Sequence, residues 1–198
     1  MKRIIFFVLA FSLLYGAESE AASFSDVTKQ QRFYGDIKFW GEKDVLVGYS
    51  NGTFRPSEFI NRGQTAIVLG RAFKLEPNGV SNFQDIKSPV TSSYVAAVVK
   101  AGFMTTKDTK NFYPNEVITR SQMAQILSKA FKINTIKPNR PSFHDVDSNT
   151  YAFKDIMKVA SSNIFTGYPD GSFRPNNPVT RGEMALLLSR GFFPYANK

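Results

Sequence analysis

The chain contains no cysteine and only one histidine among its 198 residues. Without cysteine, neither a disulfide framework nor a thiolate metal site can form, so packing alone must hold the fold together. The single histidine, His144, occupies the variable position of a repeated motif, which is typical of a surface residue. No carboxylate pair recurs outside the repeats, and we therefore expect that the chain is not an enzyme. Tryptophan is equally scarce, with one residue against 19 phenylalanines, which indicates repeated core positions filled by phenylalanine.

Acidic residues are outnumbered by basic ones. The sequence has 25 Lys and Arg residues against 16 Asp and Glu residues, and its net charge is +9. A positive balance of this size favours a polyanion as partner. Nucleic acid, acidic lipid and anionic cell-wall polymer all fit the charge, which does not distinguish among them.

Long apolar runs are rare, and the one at the N-terminus indicates where in the cell the protein is sent. Lys2 and Arg3 precede an almost uninterrupted apolar stretch at residues 4–15, and small and polar residues follow at 16–22. This order is typical of a secretory signal peptide, predicted at residues 1–22, because the apolar stretch is shorter than the roughly 20 residues that a spanning helix needs. The signal peptide predicts a secreted protein, and secretion argues against a nucleic-acid partner. No later run has membrane length, so we expect no transmembrane segment.

A Phe-x-Asp motif occurs three times, and an arginine follows each copy at a nearly constant distance. The phenylalanines stand at positions 24, 83 and 143 and the arginines at 62, 120 and 181, which gives separations of 38, 37 and 38 residues. Three ordered pairs at a fixed separation indicate an internal repeat. The predicted units, numbered 1 to 3, cover residues 23–80, 81–140 and 141–198.

Each unit is predicted to form a helix, a loop with a tight turn, and a second helix. Gly-Tyr-x-Asx-Gly sequences at residues 48–52 and 167–171 predict the turn, because glycine accepts a positive φ without steric cost. In unit 2, residues 105–110 stand in place of this sequence. The phenylalanine after each turn is a predicted core anchor. The first helices are predicted at residues 33–43, 92–100 and 151–161.

The second helix of each unit is predicted to begin at the repeated arginine. Apolar residues 4, 7 and 11 positions after that arginine fall on one helical face in all three units. A single unit of this size buries too little surface to be very stable alone. The chain is therefore predicted to be mainly α, with the three second helices packed as the shared core of one pseudo-threefold domain.

The residues around the repeated arginine explain the start of the helix but not the arginine itself. Thr180 and Glu183 have the spacing of a capping box, which the other units share at residues 119–122 and, more loosely, 61–64. A cation at the first helical position is mildly unfavourable, because a helix N-terminus is already positive. Either the guanidinium and the helix N–H groups bind an acidic ligand, or the arginine pairs with the Asp of a Phe-x-Asp motif. The sequence leaves both interpretations open.

Taken together, the Phe-x-Asp-Val, Gly-Tyr-x-Asp-Gly-x-Phe-x-Pro and Thr-Arg-x-Glu motifs resemble those of the S-layer homology (SLH) family, in three tandem copies. Units 1 and 3 match closely and unit 2 less so. The resemblance implies three helix–loop–helix units around a central three-helix bundle. It also implies a secreted protein, associated with the cell wall or S-layer of a Gram-positive bacterium. Such a protein binds anionic secondary cell-wall polysaccharide, commonly bearing pyruvylated N-acetylmannosamine, in grooves between units.

The resemblance further implies which residues line those grooves. They are the repeated arginine and aspartate of each unit and the Gly-Tyr pairs of two loops, namely Arg62, Arg120, Arg181, Asp26, Asp85, Asp145, Gly48, Tyr49, Gly167 and Tyr168. A pyruvate ketal is a carboxylate, which suits a guanidinium, while glycine would permit close approach of the sugar and tyrosine would offer a flat face. No cofactor and no metal are expected, since the Asp170–Gly171 pair lacks the alternating oxygen ligands of a calcium loop.

The sequence departs from the family pattern at several of these positions. Gln64 and Gln122 replace the glutamate of Thr-Arg-x-Glu, and unit 2 lacks the Gly-Tyr turn. The aromatic residue that opens the first helix is present at Tyr151 but aligns with Arg32 and Val90 in the other units. We therefore expect fewer than three fully competent grooves.

No cargo domain is expected, because the sequence ends at Lys198, shortly after the third unit. An alternative function is therefore a secreted surface protein-interaction module, or an S-layer accessory protein, that does not bind glycan directly and has a surface protein as its partner.

Overall fold

The computed structural model describes residues 24–106, 108–136 and 141–194, and it is mainly α, as predicted. The predicted signal peptide at residues 1–22 lies outside the described residues. Six helices follow one another along the described chain: α1 Tyr34–Gly41, α2 Arg62–Ala72, α3 Pro89–Lys100, α4 Arg120–Ala130, α5 Phe153–Ser161 and α6 Arg181–Phe192. None of these six is long and apolar enough to cross a membrane.

The first helix of each unit lies where it was predicted, with shifted ends. Helix α3 begins three residues earlier than predicted, because Ser88 caps it by accepting a hydrogen bond from the Thr91 amide and Pro89 occupies the first turn. Helix α5 begins two residues later than predicted, because Ala152 adopts a left-handed conformation with φ 59°. Tyr151 consequently stands just before the helix rather than in it.

The second helix of each unit begins at the repeated arginine, which confirms the prediction from the motif. A complete capping box is present at the N-terminus of each of the three helices. In each box, the side chain of the capping residue accepts a hydrogen bond from the backbone amide of the residue three positions later. The side chain of that later residue accepts a hydrogen bond from the backbone amide of the capping residue. The pairs are Asn61 with Gln64, Thr119 with Gln122, and Thr180 with Glu183. The unit 1 pair, which fitted loosely in sequence, is therefore complete in structure.

Each second helix packs against the first helix of the following unit. Helix α2 lies on α3, α4 lies on α5, and α6 returns to α1. The last unit therefore contacts the first as a neighbour, and the three units close into a ring with pseudo-threefold symmetry.

Three phenylalanines at the C-terminal ends of the second helices meet at the centre of this ring. The ring centroids of Phe73, Phe131 and Phe192 are 4.9 to 5.2 Å apart in all three pairings. Helix α6 has Gly191 against the ring of Phe131, where a Cβ would collide with it. The predicted shared core of second helices is thus sealed at this end by aromatic rings.

The opposite end of the axis is closed by main-chain hydrogen bonds. The segments just before the second helices form a cycle in which Ile60 N donates to Val179 O at 2.9 Å, Val179 N donates to Ile118 O at 2.9 Å, and Ile118 N donates to Ile60 O at 3.1 Å. The three side chains are all but fully buried. Each unit donates a main-chain hydrogen bond to one neighbour and accepts one from the other. Removing any unit would therefore leave buried main-chain donors and acceptors without partners.

The phenylalanine after each turn is a core anchor, as predicted. Phe54, Phe112 and Phe173 are fully buried. Each packs against the phenylalanine of the Phe-x-Asp motif in its own unit, with ring centroids 5.2, 5.7 and 5.3 Å apart. The loop is thereby attached to the start of its unit.

Truncating the axial aromatic cluster should destabilise all three units together. We expect Phe131→Ala to lower the free energy of unfolding by about 3 kcal/mol, because it leaves a cavity at the junction of the second helices. Urea unfolding followed by circular dichroism measures this. The control is Phe59→Ala, whose side chain is 50% exposed and whose loss should cost under about 1 kcal/mol. Equal effects of the two substitutions would contradict a central role for the cluster.

Candidate functional site

The three repeated arginines are buried and reach into the next unit of the ring. Each uses Nε to donate to the carbonyl of that unit's anchor phenylalanine and Nη2 to donate to a carbonyl at the start of its loop. The bonds run from Arg62 to Phe112 and Thr105 (2.8 and 3.1 Å), from Arg120 to Phe173 and Thr166 (2.6 and 3.0 Å), and from Arg181 to Phe54 and Val47 (2.9 and 2.9 Å). Only 5%, 3% and 7% of these residues is exposed. The first role of each arginine is therefore to join two units.

The main-chain N–H groups at the start of each second helix are also occupied by the neighbouring unit. The amides of the first and second helical residues donate to carbonyls across the interface: Arg62 to Glu116, Gly63 to Pro114, Arg120 to Asn177, Ser121 to Pro175, Arg181 to Glu58 and Gly182 to Pro56. The third amide donates to the capping side chain. The alternative in which these N–H groups bind an acidic ligand is therefore wrong, because all three donors of each helix start already have acceptors.

The repeated aspartates hold the loops and do not pair with the arginines. Each carboxylate accepts from two successive amides of its own unit: Asp26 from Phe54 and Arg55, Asp85 from Phe112 and Tyr113, Asp145 from Phe173 and Arg174. The second residue of each pair has a positive φ of 58° to 60°, a strained conformation that the carboxylate helps to maintain. No ion pair joins these aspartates to the three arginines, so that alternative from the sequence is wrong for these described residues.

Gly48 and Gly167 are required by packing. A Cβ at Gly48 would lie 2.6 Å from the Thr53 carbonyl oxygen and 2.7 Å from the ring of Phe24. At Gly167 it would collide with the ring of Phe143. The Phe-x-Asp motif and the glycine of the turn are therefore parts of one local unit, and the packing accounts for the glycine without a ligand.

The tyrosines of the two loops are contacted by guanidinium groups. The ring of Tyr49 lies 3.9 Å from the guanidinium carbon of Arg55 and 5.1 Å from that of Arg181. Its hydroxyl donates to Glu58 at 3.0 Å. Tyr168 repeats the arrangement, 3.9 Å from Arg174 and 4.8 Å from Arg120. Each tyrosine thus brings together the arginine of its own loop and the inter-unit arginine.

Two open clefts contain most of the residues that the family resemblance implied. We call them groove 1 and groove 3, after the unit whose loop lines them. Groove 1 has a volume of about 220 Å³ and is lined by residues that include Gly48, Tyr49, Gln64, Arg71 and Arg181. Groove 3 has a volume of about 320 Å³ and is lined by residues that include Gly167, Tyr168, Glu183, Arg120, Arg190 and Arg32. The three aspartates line neither groove.

The third guanidinium nitrogen, Nη1, has different surroundings in Arg181 and in Arg120. Nε and Nη2 are hydrogen-bonded, whereas Nη1 of Arg181 has no hydrogen-bond partner in the described structure. No buried side-chain nitrogen among the described residues lacks such a partner, so this Nη1 contacts solvent. In groove 3, Nη1 of Arg120 lies 3.7 Å from a carboxylate oxygen of Glu183. Burial lowers the pKa of Arg62, Arg120 and Arg181, yet all three stay protonated because the usual value is far above neutrality.

Sequence reasoning did not identify Arg71, Arg190 and Arg32 as groove residues. The first two stand nine positions after the inter-unit arginines of their own helices, and Lys129 holds the same position in unit 2. This recurrence of a basic residue was a usable signal. Arg32 had been noted only as a departure from the family pattern, since its position in groove 3 depends on contact between units 1 and 3.

Within the described ranges, no group of three or more His, Cys, Asp or Glu side chains could hold a metal ion. The grooves themselves are lined by cationic and aromatic side chains, and groove 3 also by the carboxylate of Glu183.

Comparison with known proteins adds family-level information. The model of the S-layer homology domain matches the sequence three times, at residues 23–66, 83–124 and 142–185. Each match lies inside one of the three predicted units and contains its Phe-x-Asp motif and inter-unit arginine. The exact unit boundaries stay predictions.

Curated bacterial proteins are similar over most of the chain. An endoglucanase of a Bacillus species is 31% identical over 87% of this chain and 19% of its own length. An uncharacterized cell wall amidase of Bacillus anthracis is 32% identical over 81% of this chain and 32% of its own length. An S-layer protein of Bacillus anthracis is 28% identical over 100% of this chain and 24% of its own length. The chain thus spans less than a third of the length of each of these relatives.

Removing the charge of one loop-holding aspartate should weaken the fold in a pH-dependent way. Burial raises the pKa of Asp145, but hydrogen bonds from the amides of Phe173 and Arg174 outweigh this, and the pKa lies below its usual value. The carboxylate therefore stabilises the fold above about pH 4, and this contribution is lost as the pH falls further.

We expect Asp145→Asn to cost about 1–3 kcal/mol of unfolding free energy at pH 7, and less at pH 3, as measured by urea unfolding. Asp155→Asn removes a partly exposed pair with Lys158 and serves as the control, with a cost under about 1 kcal/mol. An equal cost of Asp145→Asn at both pH values would argue against the charged hydrogen bonds.

Proposed function

Because the chain belongs to the S-layer homology domain family, we propose that it attaches to the cell wall by binding an anionic secondary wall polysaccharide in the grooves between its units. Family membership and the S-layer relatives place the protein at the cell surface or in the S-layer. The polysaccharide, and an acidic sugar such as pyruvylated N-acetylmannosamine within it, are the proposed part.

The charge of groove 1 supports this proposal most directly. Its lining includes two guanidinium groups, Arg71 and Arg181, and no carboxylate. The exposed Nη1 of Arg181 is held in a fixed position by the two hydrogen bonds that its other nitrogens make. A carboxylate entering the cleft would gain a charge-assisted hydrogen bond without having to order that side chain.

The surroundings of this cation suit a sugar acid better than a small inorganic ion. Tyr49 lines the same cleft and offers an aromatic surface, while Gln64 offers both a donor and an acceptor for hydroxyl groups. Apolar contact comes from Ile67 and Val68. A cleft with a fixed cation, an aromatic ring and neutral polar groups matches a ligand that carries one acidic group on a hydroxylated ring.

We infer binding rather than catalysis for this chain. Groove 1 is lined by neither a carboxylate nor a histidine, so it offers no residue for general acid–base work near neutral pH. The names of the endoglucanase and the amidase describe proteins of which this chain matches only 19% and 32%.

The proposal is tested by co-sedimentation with purified Gram-positive cell walls, before and after the walls are stripped of their polysaccharide. We expect binding to intact walls and its loss on stripped walls. Full retention on stripped walls would instead support the alternative of a protein or peptidoglycan partner. Raising the ionic strength should weaken binding, because salt screens the attraction between exposed charges.

Arg71→Gln should weaken wall binding about tenfold, since it removes one of two cations from groove 1. The arginine side chain makes a long 3.3 Å hydrogen bond to the Asp44 carbonyl and a distant contact, 5.7 Å, with the ring of Tyr94, so the fold should persist. Lys100→Gln is the charge-matched control, since Lys100 is exposed at the end of α3 and does not line groove 1 or groove 3. If both variants lost binding equally, net charge rather than the groove would be responsible.

A further inference from the structure

Groove 3 differs from groove 1 in the charges around its inter-unit arginine. Three guanidinium groups line it, from Arg32, Arg120 and Arg190, together with one carboxylate, from Glu183. They come from all three units, because Arg32 precedes α1, Arg120 begins α4 and Arg190 lies in α6. The corresponding residue to Glu183 in groove 1 is Gln64, which is neutral.

Arg120 already has an acidic neighbour inside the protein. Its Nε and Nη2 donate to main-chain carbonyls, and its Nη1 faces Oε1 of Glu183 at 3.7 Å. The other oxygen of Glu183 accepts from the Thr180 amide at 2.8 Å, which fixes the carboxylate beside the arginine. An acidic ligand at Arg120 would therefore meet a like charge that cannot easily move away.

Arg32 and Arg190, by contrast, have no carboxylate within 4.0 Å among the described residues. Arg190 is partly buried, and its Nη1 donates to the Thr166 hydroxyl at 3.2 Å. Arg32 is exposed and lies over the ring of Phe33 at 5.2 Å. Burial lowers the pKa of Arg190 and the charge of Arg32 lowers it further, with Asp36 acting in the opposite direction. Two cations that repel each other at the edge of a cleft would be stabilised by an anion placed between them.

We propose that groove 3 binds the acidic group of the wall glycan at Arg32 and Arg190, displaced from the inter-unit arginine, whereas groove 1 binds it at Arg181. This proposal rests on the proposed function, because it assigns positions within the grooves to the same class of ligand. The third residue of the second helix decides where the acidic group binds. Glu183 in groove 3 favours the position at Arg32 and Arg190, whereas Gln64 in groove 1 leaves the position at Arg181 open.

Exchange of these two residues is a conservative test of the assignment. Gln and Glu both complete the capping box, as units 1 and 3 demonstrate, so either residue can serve at either position. Glu183→Gln should release Arg120 for the ligand and strengthen binding in groove 3. Gln64→Glu should place a carboxylate beside Arg181 and weaken binding in groove 1.

The measurement is a titration of the full mature chain with pyruvylated N-acetylmannosamine, followed by two-dimensional amide NMR. The Gly48 and Gly167 signals report the two grooves separately. We expect Arg32→Gln and Arg190→Gln each to weaken binding at the Gly167 signal about tenfold while the Gly48 signal titrates as before. Since Arg32 is exposed, its variant tests the site even if Arg190→Gln disturbs the fold. Lys100→Gln should leave both titrations unchanged.

The outcomes separate this proposal from the one on which it rests. If the sugar shifts neither glycine signal, the proposed function fails for this ligand. If both signals titrate but Arg32→Gln leaves the Gly167 titration intact, the displaced position is wrong while glycan binding stands. A Glu183→Gln variant that binds more weakly in groove 3 would also overturn the displacement, because Glu183 would then be assisting the ligand rather than competing with it.

Discussion

The hydrogen bonds of three buried arginines to the neighbouring loops are the interaction on which the rest of the structure depends. Each arginine begins one helix and ends among the carbonyls of the next unit. Its guanidinium carbon lies 4.5 to 4.6 Å from the ring centroid of that unit's anchor phenylalanine. A buried cation is costly unless it is hydrogen-bonded, so these contacts permit only one relative placement of two units. With three such contacts in a cycle, every loop is held both by the aspartate of its own unit and by the arginine of a neighbouring unit.

This arrangement explains how one residue can both join two units and line an open groove. A guanidinium has donors in a rigid planar fork, so two nitrogens can bind carbonyls while the third points elsewhere. Lysine could not divide its donors in this way. In Arg181 the third nitrogen is thereby held in place, so the proposed binding of an acidic group in groove 1 would require little rearrangement. The aspartates act indirectly, because they hold the loop whose carbonyls accept hydrogen bonds from the arginine.

Much of the fold could be predicted from sequence because each position in one unit can be compared with the equivalent positions in the other two units. The starts of the second helices, their capping pairs and the anchor phenylalanines depend on local spacing, and the structure confirms them. The acceptors of the helix amides depend on which units touch, and those amides therefore could not be assigned from sequence. The role of the aspartates depends on how each loop folds back onto the start of its own unit, which motif spacing does not reveal. Arg32 shows the limit most clearly. Nothing near it in sequence reveals that it shares a cleft with Arg120 and Arg190, because α6 and α1 stand at opposite ends of the chain.

The cycle of hydrogen bonds among Ile60, Ile118 and Val179 also limits how such a chain can vary. Many repeat proteins stack their units in an open row, where copies can be added or removed at the ends without disturbing the others. Here each unit takes up one third of a full rotation, and the last returns to the first, so a fourth copy has no vacant edge to join. Copy number is consequently set by rotational closure, and duplication could enlarge such a protein only by adding a whole further triplet.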